Sequence, residues 1–429
     1  MKILFIHPNM PGQYKHLCRQ FAEDPNNQVV FLTRSNNVEI PNVKRVFYQP
    51  RRTPSPHTHR YIVGTERAVL QGQEVWRVCK KLRNEEGFIP DVICAHPGWG
   101  DALYVKDIYP EASLLSFLEF YYKAKGQDVN FDPEDPGRPD DDARVRTKNL
   151  VNMMNLEAMD WGISPTHWQR SVHPSVYQPQ ISVLHDGIDT QHAAKPDADA
   201  VFEVSDSLKF KKGDEVVTYI ARNLEPYRGF PTFMRAAEKI LRDRPNCHIV
   251  AVGADGVSYG KQPPKGTTYR QIMLNQVNLD HDRLHFVGTL PYQKLIKMLQ
   301  VSAAHIYLTY PFVLSWSTLE AMACGCALIG SKTQPVEEVI THGENGLLVD
   351  FFSPDDVAQK VFQVLDDASG MAEMREKARQ YVVARYELEK LLPLHMQLVR
   401  DVAEKKFPPP VHKEIEALYS EEEIKRWAA

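Results

Sequence analysis

The stretch YPFVLSWSTLEAMACGCALIGSKTQPVEEV, residues 310–339, sets Ser315, Trp316, Ser317, Thr318 and Glu320 ahead of an apolar run, at what reads as the mouth of a helix between two strands. Ser317 with Glu320 three residues on is the signature of a capping box, in which hydroxyl and carboxylate close the first N–H groups of the helix. The same mouth would also seat an anion, because orphan N–H groups and the positive dipole end attract phosphate. A second charged feature is ARNLEPYRG, where Arg222 ends a strand-like run and Arg228 stands beside Gly229. Two guanidiniums converging on one strand end would clamp a diphosphate; each would serve equally as a solvated surface charge.

Other polar residues fall at further strand ends. HFVGTLPYQKL puts Gly288, Thr289 and Leu290 where backbone groups could read the edge of a base, or simply turn the chain. VGADGVSYG holds Gly253, Gly256 and Gly260, but not at dinucleotide-binding spacing, and reads as a turn. In HPNMPGQYKHL, Gly12 permits close backbone approach by a phosphate or sugar. ICAHPGWGDAL supplies His96, Trp99 and Asp101, an aromatic ring among polar groups that suits a sugar's mixed faces; a single histidine after a strand is also commonly satisfied by its neighbours. FLEFYYKAKGQD ends a strand at Glu119, Tyr121 and Tyr122, and Glu119 could orient a hydroxyl, act as a base, or stand exposed.

The elements that must position these residues follow from length and periodicity. At 429 residues the chain exceeds what one core sustains, so two domains are expected. Short apolar runs (KILFIHP, QVVFLTR, DVICAHP, ASLLSFLEF, WGISPT, ISVLHDG) alternate with helical patterns in the first half. A polar stretch over 190–213 reads as a linker, and a second series follows: VVTYIAR, CHIVAVG, RLHFVG, AHIYLTY, CALIGS and GLLVDF. Alternation of this kind predicts α/β architecture, two doubly wound Rossmann-like domains facing a cleft, with ligands at the carboxyl ends of the strands. The expected division is one Rossmann-like domain over 1–195, a second over 196–385, and a helical tail over 386–429. One long helical pattern covers 371–406, and FPPP reads as a stiff spacer.

Composition excludes several classes. A net charge of -4 argues against general nucleic-acid binding. The six cysteines show no zinc or C-x-x-C spacing and read as free buried thiols in a reducing compartment. MKILFIHP is too short in its apolar run for a signal peptide and reads as a buried first strand, so a cytoplasmic protein is expected. Lys44, Arg45, Arg51, Arg52 and Arg60, with His57 and His59, form a basic segment over 43–61 that could meet lipid headgroups or an anionic acceptor, or form a solvated face. FDPEDPGRPDDDARVR is an acidic, proline-rich loop.

These pieces together resemble the family 4 retaining glycosyltransferases of GT-B fold, most clearly over 183–350. VLHDGIDT resembles the family's turn ahead of its interdomain linker, ARNLEPYRG its Arg-x5-Lys loop, and STLEAMACGCALIGSKTQPVEEVITHGENGLLVD its nucleotide-binding block. HPGWGDALYVKDIYP, LEFYY and VNFDPE resemble a bacterial subgroup with a distinctive N-terminal domain. The resemblance implies that Arg222 and Arg228 hold the donor diphosphate, that Glu320 accepts from the ribose, and that Ser317 and Thr318 open the helix mouth to the diphosphate. Gly12 would sit over the transferred sugar, and Glu119 near a donor-touching histidine of the family. Three positions depart from the pattern: the family's lysine is Arg228, its first glutamate falls on Phe312, and its glycine before the helix is Ser315.

The reading is a metal-independent retaining hexosyltransferase that moves a sugar from a nucleoside diphosphate sugar to a glycan or lipid-linked acceptor in surface polysaccharide synthesis. Arg222, Arg228 and Glu119 are its catalytic candidates. Gly12, Gly288, Thr289, Leu290, Ser315, Trp316, Ser317, Thr318 and Glu320 are expected on the donor, and His96, Trp99 and Asp101 on the acceptor. The nucleotide sugar is substrate, and no cofactor or metal is expected. Rival readings are a non-catalytic sugar-nucleotide binder and a GT-B epimerase or phosphorylase.

Overall fold

The computed structural model describes residues 1–35 and 38–427. The chain divides into two compact units, Met1–Gly187 with Glu389–Ala429, and Ile188–Leu388.

The first unit is built on seven strands: β1 (Lys2–Ile6), β2 (Gln28–Thr33), β3 (Val43–Phe47), β4 (Val92–Ala95), β5 (Ser113–Phe117), β6 (Trp161–Ser164) and β7 (Ile181–Val183). They form one parallel sheet in the order β3-β2-β1-β4-β5-β6-β7. Its two faces explain the continuous apolar runs, since alternate residues of a strand point opposite ways and helices cover both sides. Ile3 and Phe5 join Leu17, Phe21, Leu391, Leu398 and Val402 on one face. Leu4 and Ile6 join Val75, Cys79 and Leu82 on the other.

β3 lies in the segment that reads as a basic cluster. As an edge strand it is only half-buried, and its sequence VKRVF carries no apolar run to mark it. The tail is part of this unit. Helix Leu388–Ala403 carries Leu391, Leu398, Val399 and Val402 into its core. Beyond it, Phe407 stacks on Trp161, and His412 Nδ1 lies 2.9 Å from Ser182 Oγ.

The second unit opens with an antiparallel hairpin, β8 (Val201–Ser205) and β9 (Leu208–Lys211). Here the expected linker is in fact ordered structure. Phe202 pairs with Phe210 across the hairpin, and both are buried in the core, while the intervening Glu203 and Lys209 are exposed. Six parallel strands follow: β10 (Val216–Asn223), β11 (His248–Ala254), β12 (Leu284–Gly288), β13 (Ala304–Tyr307), β14 (Ala327–Ser331) and β15 (Leu347–Val349). Their order is β12-β11-β10-β13-β14-β15.

The transitions fall at 187/188 and 388/389 rather than at 195/196 and 385/386. Ile188 N–H donates to the Tyr386 carbonyl at 2.7 Å and its own carbonyl accepts from Leu388 N–H at 2.9 Å, while Ala194 and Ala200 enter the second unit's core. The long pattern over 371–406 breaks at that crossing into helices Ala372–Arg385 and Leu388–Ala403. All six cysteines are free and buried. No helix of the described residues is long and apolar enough to cross a membrane.

Candidate functional site

In each parallel sheet the strand order reverses beside the first strand of its series, at β1 and β4 in the first unit and at β10 and β13 in the second. Doubly wound sheets bind ligands at the carboxyl ends beside that point. The candidate residues divide between these two edges.

In the second unit, the helix after β13 runs Trp316–Ala323 with Ser315, not Ser317, as its cap residue. The expected capping box is absent. Ser315 has extended backbone, φ −85 and ψ 144, and its side chain makes no capping hydrogen bond to a helix N–H. Its hydroxyl lies instead 2.9 Å from Ser317 Oγ, so the cap residue's own side chain does not close the mouth. Trp316 is exposed there, whereas Ser317 and Thr318 are buried. Glu320 is 9% exposed and takes a hydrogen bond from the phenol of Tyr292. That contact ties the helix to the turn Gly288, Thr289 and Leu290, where Gly288 adopts φ +66.

The two arginines do not form a matched pair. Arg222, at the end of β10, is exposed. Arg228 is 7% exposed, and its Nη1 donates to Tyr307 Oη (2.9 Å), Thr309 Oγ1 (2.7 Å) and the Val313 carbonyl (3.1 Å). It staples the loop after β10 to the loop after β13. Tyr307 Oη also accepts from Ser315 N–H at 2.8 Å, which carries the brace to the helix mouth.

Sequence reasoning missed Glu225. It is fully buried, and its carboxylate accepts from the N–H groups of Ser258, Tyr259 and Gly260, pinning the glycine-bearing loop after β11 against the loop after β10. Phe312 is buried among aromatic rings, 5.7 Å from Tyr227 and 5.0 Å from Tyr259 between centroids. Only its place between two polar loops could have signalled this cluster.

In the first unit, His7 follows β1 and is buried; its Nδ1 accepts from Asn9 N–H at 3.0 Å. Burial and the neighbouring His96 push its pKa down to about 3. Gly12 has φ +53, and a Cβ there would lie 2.6–2.7 Å from the His7 ring, so both backbone and space demand glycine. After β4, His96 is buried and its Nδ1 accepts from Gly98 N–H at 3.2 Å; its Nε2 lies 3.3 Å from Glu119 Oε2. Trp99 is 38% exposed, its ring 4.5 Å from that of His96 and 5.2 Å from that of His7.

Asp101 is corrected from an acceptor contact to an internal anchor. It is fully buried, accepts from Tyr48 Oη at 2.5 Å, and burial raises its carboxyl to about 6. His96 is likewise buried, behind the exposed Trp99 and the half-buried Glu119.

The basic segment 43–61 is offset by acids. Lys44 pairs with Glu86, Arg45 with Glu39, Arg51 with Glu74, Arg52 with Glu66 and Arg60 with Asp140. Its charge is therefore largely local, which favours the solvated-face reading over a lipid-binding patch.

Comparison with known proteins gives matches over most of the chain. A model described as glycosyl transferase family 4 group matches residues 25–193, and one described as glycosyl transferases group 1 matches 202–381. The N-acetyl-alpha-D-glucosaminyl L-malate synthase of Bacillus anthracis is 31% identical over 121 residues, 28% of this chain and 31% of that protein. The D-inositol 3-phosphate glycosyltransferase of Corynebacterium glutamicum is 25% identical over 249 residues, 57% of each. Each match covers less than two thirds of the relative's own length.

Among solved structures, HepE of Anabaena in complex with UDP-glucose superposes with a TM-score of 0.63 at 16% identity, covering 94% of this chain and 98% of that one. Sucrose-phosphate synthase of Thermosynechococcus elongatus gives 0.69 at 19% identity, covering 93% and 98%. At these identities the likeness establishes the fold, which is GT-B.

Proposed function

The chain belongs to the family 4 glycosyltransferases, and from that premise we propose that it transfers a hexosyl group from a nucleoside diphosphate sugar to a hydroxyl of a glycan or lipid-linked acceptor, with retention. The second unit would hold the donor. Gly288, Thr289 and Leu290 would read the base and Glu320 the ribose, with the diphosphate at the mouth of helix Trp316–Ala323. Negative charge grows on the diphosphate as the anomeric bond breaks, and groups already aimed at it lower the barrier without reorganising. Arg222 and the helix end are those groups here. Arg228 acts one step back, by fixing the two loops that carry them.

The observation that carries this reading is the uncapped helix mouth after β13, at the switch point of the second sheet, with Glu320 tied through Tyr292 to the 288–290 turn after β12. The UDP-glucose in the HepE structure supports a uridine nucleotide sugar. The first unit would supply the acceptor groups, and the expected setting is the cytoplasmic assembly of surface polysaccharide. Ion pairs offset the cations of 43–61, which favours a solvated face over peripheral membrane contact there.

The test is a thermal-shift comparison of UDP, GDP and ADP, followed by turnover of the corresponding sugar nucleotides. A nucleotide at one hundred times its Kd stabilises by about 2.7 kcal/mol, and its sugar ester should be consumed. No shift with any of the three would sink the donor assignment. Stabilisation without turnover would favour the second reading, a sugar-nucleotide binder, for which Phe312 at the position of the family's first glutamate is the supporting feature.

A further inference from the structure

Helices Asp141–Lys148 and Leu150–Ala158 meet at Asn149, which keeps right-handed helical backbone, so one stripe of side chains runs along both. Its polarity is inverted. Asn149, Asn152 and Asn155 turn toward the body of the first unit. Asn149 donates to the Tyr122 carbonyl at 2.6 Å and accepts from Tyr122 N–H at 3.1 Å. Asn152 donates to Asn149 Oδ1 at 3.0 Å, and Asn155 to the Pro97 carbonyl at 3.4 Å. The outer face instead carries Leu150, Met153 and Met154, which are 47%, 40% and 45% exposed. A surface helix ordinarily turns its apolar side chains inward. Three large ones at i, i+3 and i+4 facing water mark a place of contact.

Cations rim this face. Arg146 precedes Leu150 by one helical turn, and Lys148 sets its Nζ 3.3 Å from the centre of the Tyr122 ring. The bonds between Asn149 and Tyr122 hold the loop after β5 against the start of the apolar helix, so Lys123 follows directly there and Lys125 two residues on. Lys123, Lys125 and Arg146 are exposed, and among the described residues none of the three is in an ion pair. The acids of the stripe stand at its ends, Asp142 a turn before Arg146 and Glu157 a turn after Met153. This is the opposite of the 43–61 segment, whose five cations are each paired with a carboxylate.

A convex apolar helix face with long cationic side chains at its rim has the layout of a membrane-surface helix. Leucine and methionine enter the boundary between headgroups and acyl chains, while ammonium and guanidinium groups stay among anionic headgroups. We propose that Leu150, Met153 and Met154, rimmed by Lys123, Lys125 and Arg146, dock the first unit on an anionic lipid surface. Unpaired cations favour a partner with negative charge, and unbranched methionines adapt to a fluid one. Docking of this kind does not require the chain to be a transferase, so a protein that turns over no sugar nucleotide would bind lipid all the same.

Flotation of the full chain with vesicles tests this. The protein should float with phosphatidylcholine vesicles containing about a third phosphatidylglycerol and much less with phosphatidylcholine alone, and binding should weaken in about 0.5 M salt. Met153→Glu with Met154→Glu should lower vesicle affinity about tenfold or more, as should Lys123→Gln with Arg146→Gln. A second measurement needs no multiple variant. All six native cysteines are buried, so Met154→Cys offers one accessible thiol for an environment-sensitive dye. Its emission should shift to the blue on anionic vesicles, while the same dye on Ser207→Cys, in the exposed turn of the β8–β9 hairpin, should not move. A chain that does not float with anionic vesicles, affinity unchanged in the Met153→Glu/Met154→Glu protein, or a dye at 154 that stays in water each overturns the proposal. So does a dimer in sedimentation velocity that Met153→Glu/Met154→Glu abolishes, since a second copy of the chain would then be what covers this face.

Discussion

Arg222 and Arg228 lie six residues apart with like charge and opposite burial, and their substitution should separate stability from turnover. Arg228→Ala leaves Tyr307, Thr309 and the Val313 carbonyl without their common donor, which should cost the second unit roughly 2–4 kcal/mol in urea unfolding. Arg222→Ala removes an exposed charge and should stay within about 0.5 kcal/mol of the parent, yet lose about a hundredfold in donor turnover. An Arg228→Ala protein as stable as the parent, slowed only in turnover, would contradict the bracing role. The motif was legible in the sequence as two arginines at a strand end. Its division of labour was not, because the acceptors that bury Arg228 lie 79 to 85 residues further along the chain. Glu225 escaped for the same reason, its three N–H partners being 33 to 35 residues away.

Among the elements, strands with continuous apolar runs announced themselves, since burial on both faces demands such runs. β3 and the β8–β9 hairpin did not, because each is partly exposed and interrupts its apolar residues with charged ones. The hairpin is nevertheless core structure. Phe202→Ala should destabilise the second unit by about 3–5 kcal/mol, measured by its chemical denaturation midpoint. A change below about 1 kcal/mol would return the segment to the status of a linker. The turn after β1 makes a different demand. Gly12→Ala forces a side chain into φ +53, at roughly 1–2 kcal/mol, and drives its Cβ into the His7 ring. Its melting temperature should fall, and the NMR signals of His7 should shift with it. An unmoved His7 signal would mean that the ring is not the neighbour Gly12 accommodates. The helix mouth shows the limit of motif reading most plainly. Ser-x-x-Glu is present at 317 and 320, but the cap falls two residues earlier, where the chain is still extended.

Across the whole chain, buried imidazoles are unevenly shared, and acid should expose the difference. In the first unit His7, His173, His185 and His395 are at most 6% exposed. Burial, the leading cause for each, depresses them: His7 and His185 to about 3, His173 to about 4, and His395 below its ordinary value. In the second unit, among the described residues, His305 alone is as deeply buried, with its pKa lowered to about 3. A histidine whose folded pKa lies below its unfolded value leaves the unfolded chain binding more protons once pH drops under about 6.5. The stability it permits at neutral pH is therefore lost as pH falls from there toward the folded pKa, at up to about 1.4 kcal/mol per pH unit for each such group. Asp101 runs the other way, since burial raises it to about 6 and its protonation on acidification favours the folded state. One carboxyl cannot offset four imidazoles. Hydrogen exchange near pH 5 should accordingly show β1, β4 and β5 losing protection while β10, β13 and β14 keep theirs. Equal loss in both units, or earlier loss in the second, would show that these buried histidines do not govern acid stability. Replacing His173 with Gln should move the first unit's transition to lower pH, because the neutral amide removes one proton acceptor from the unfolded chain.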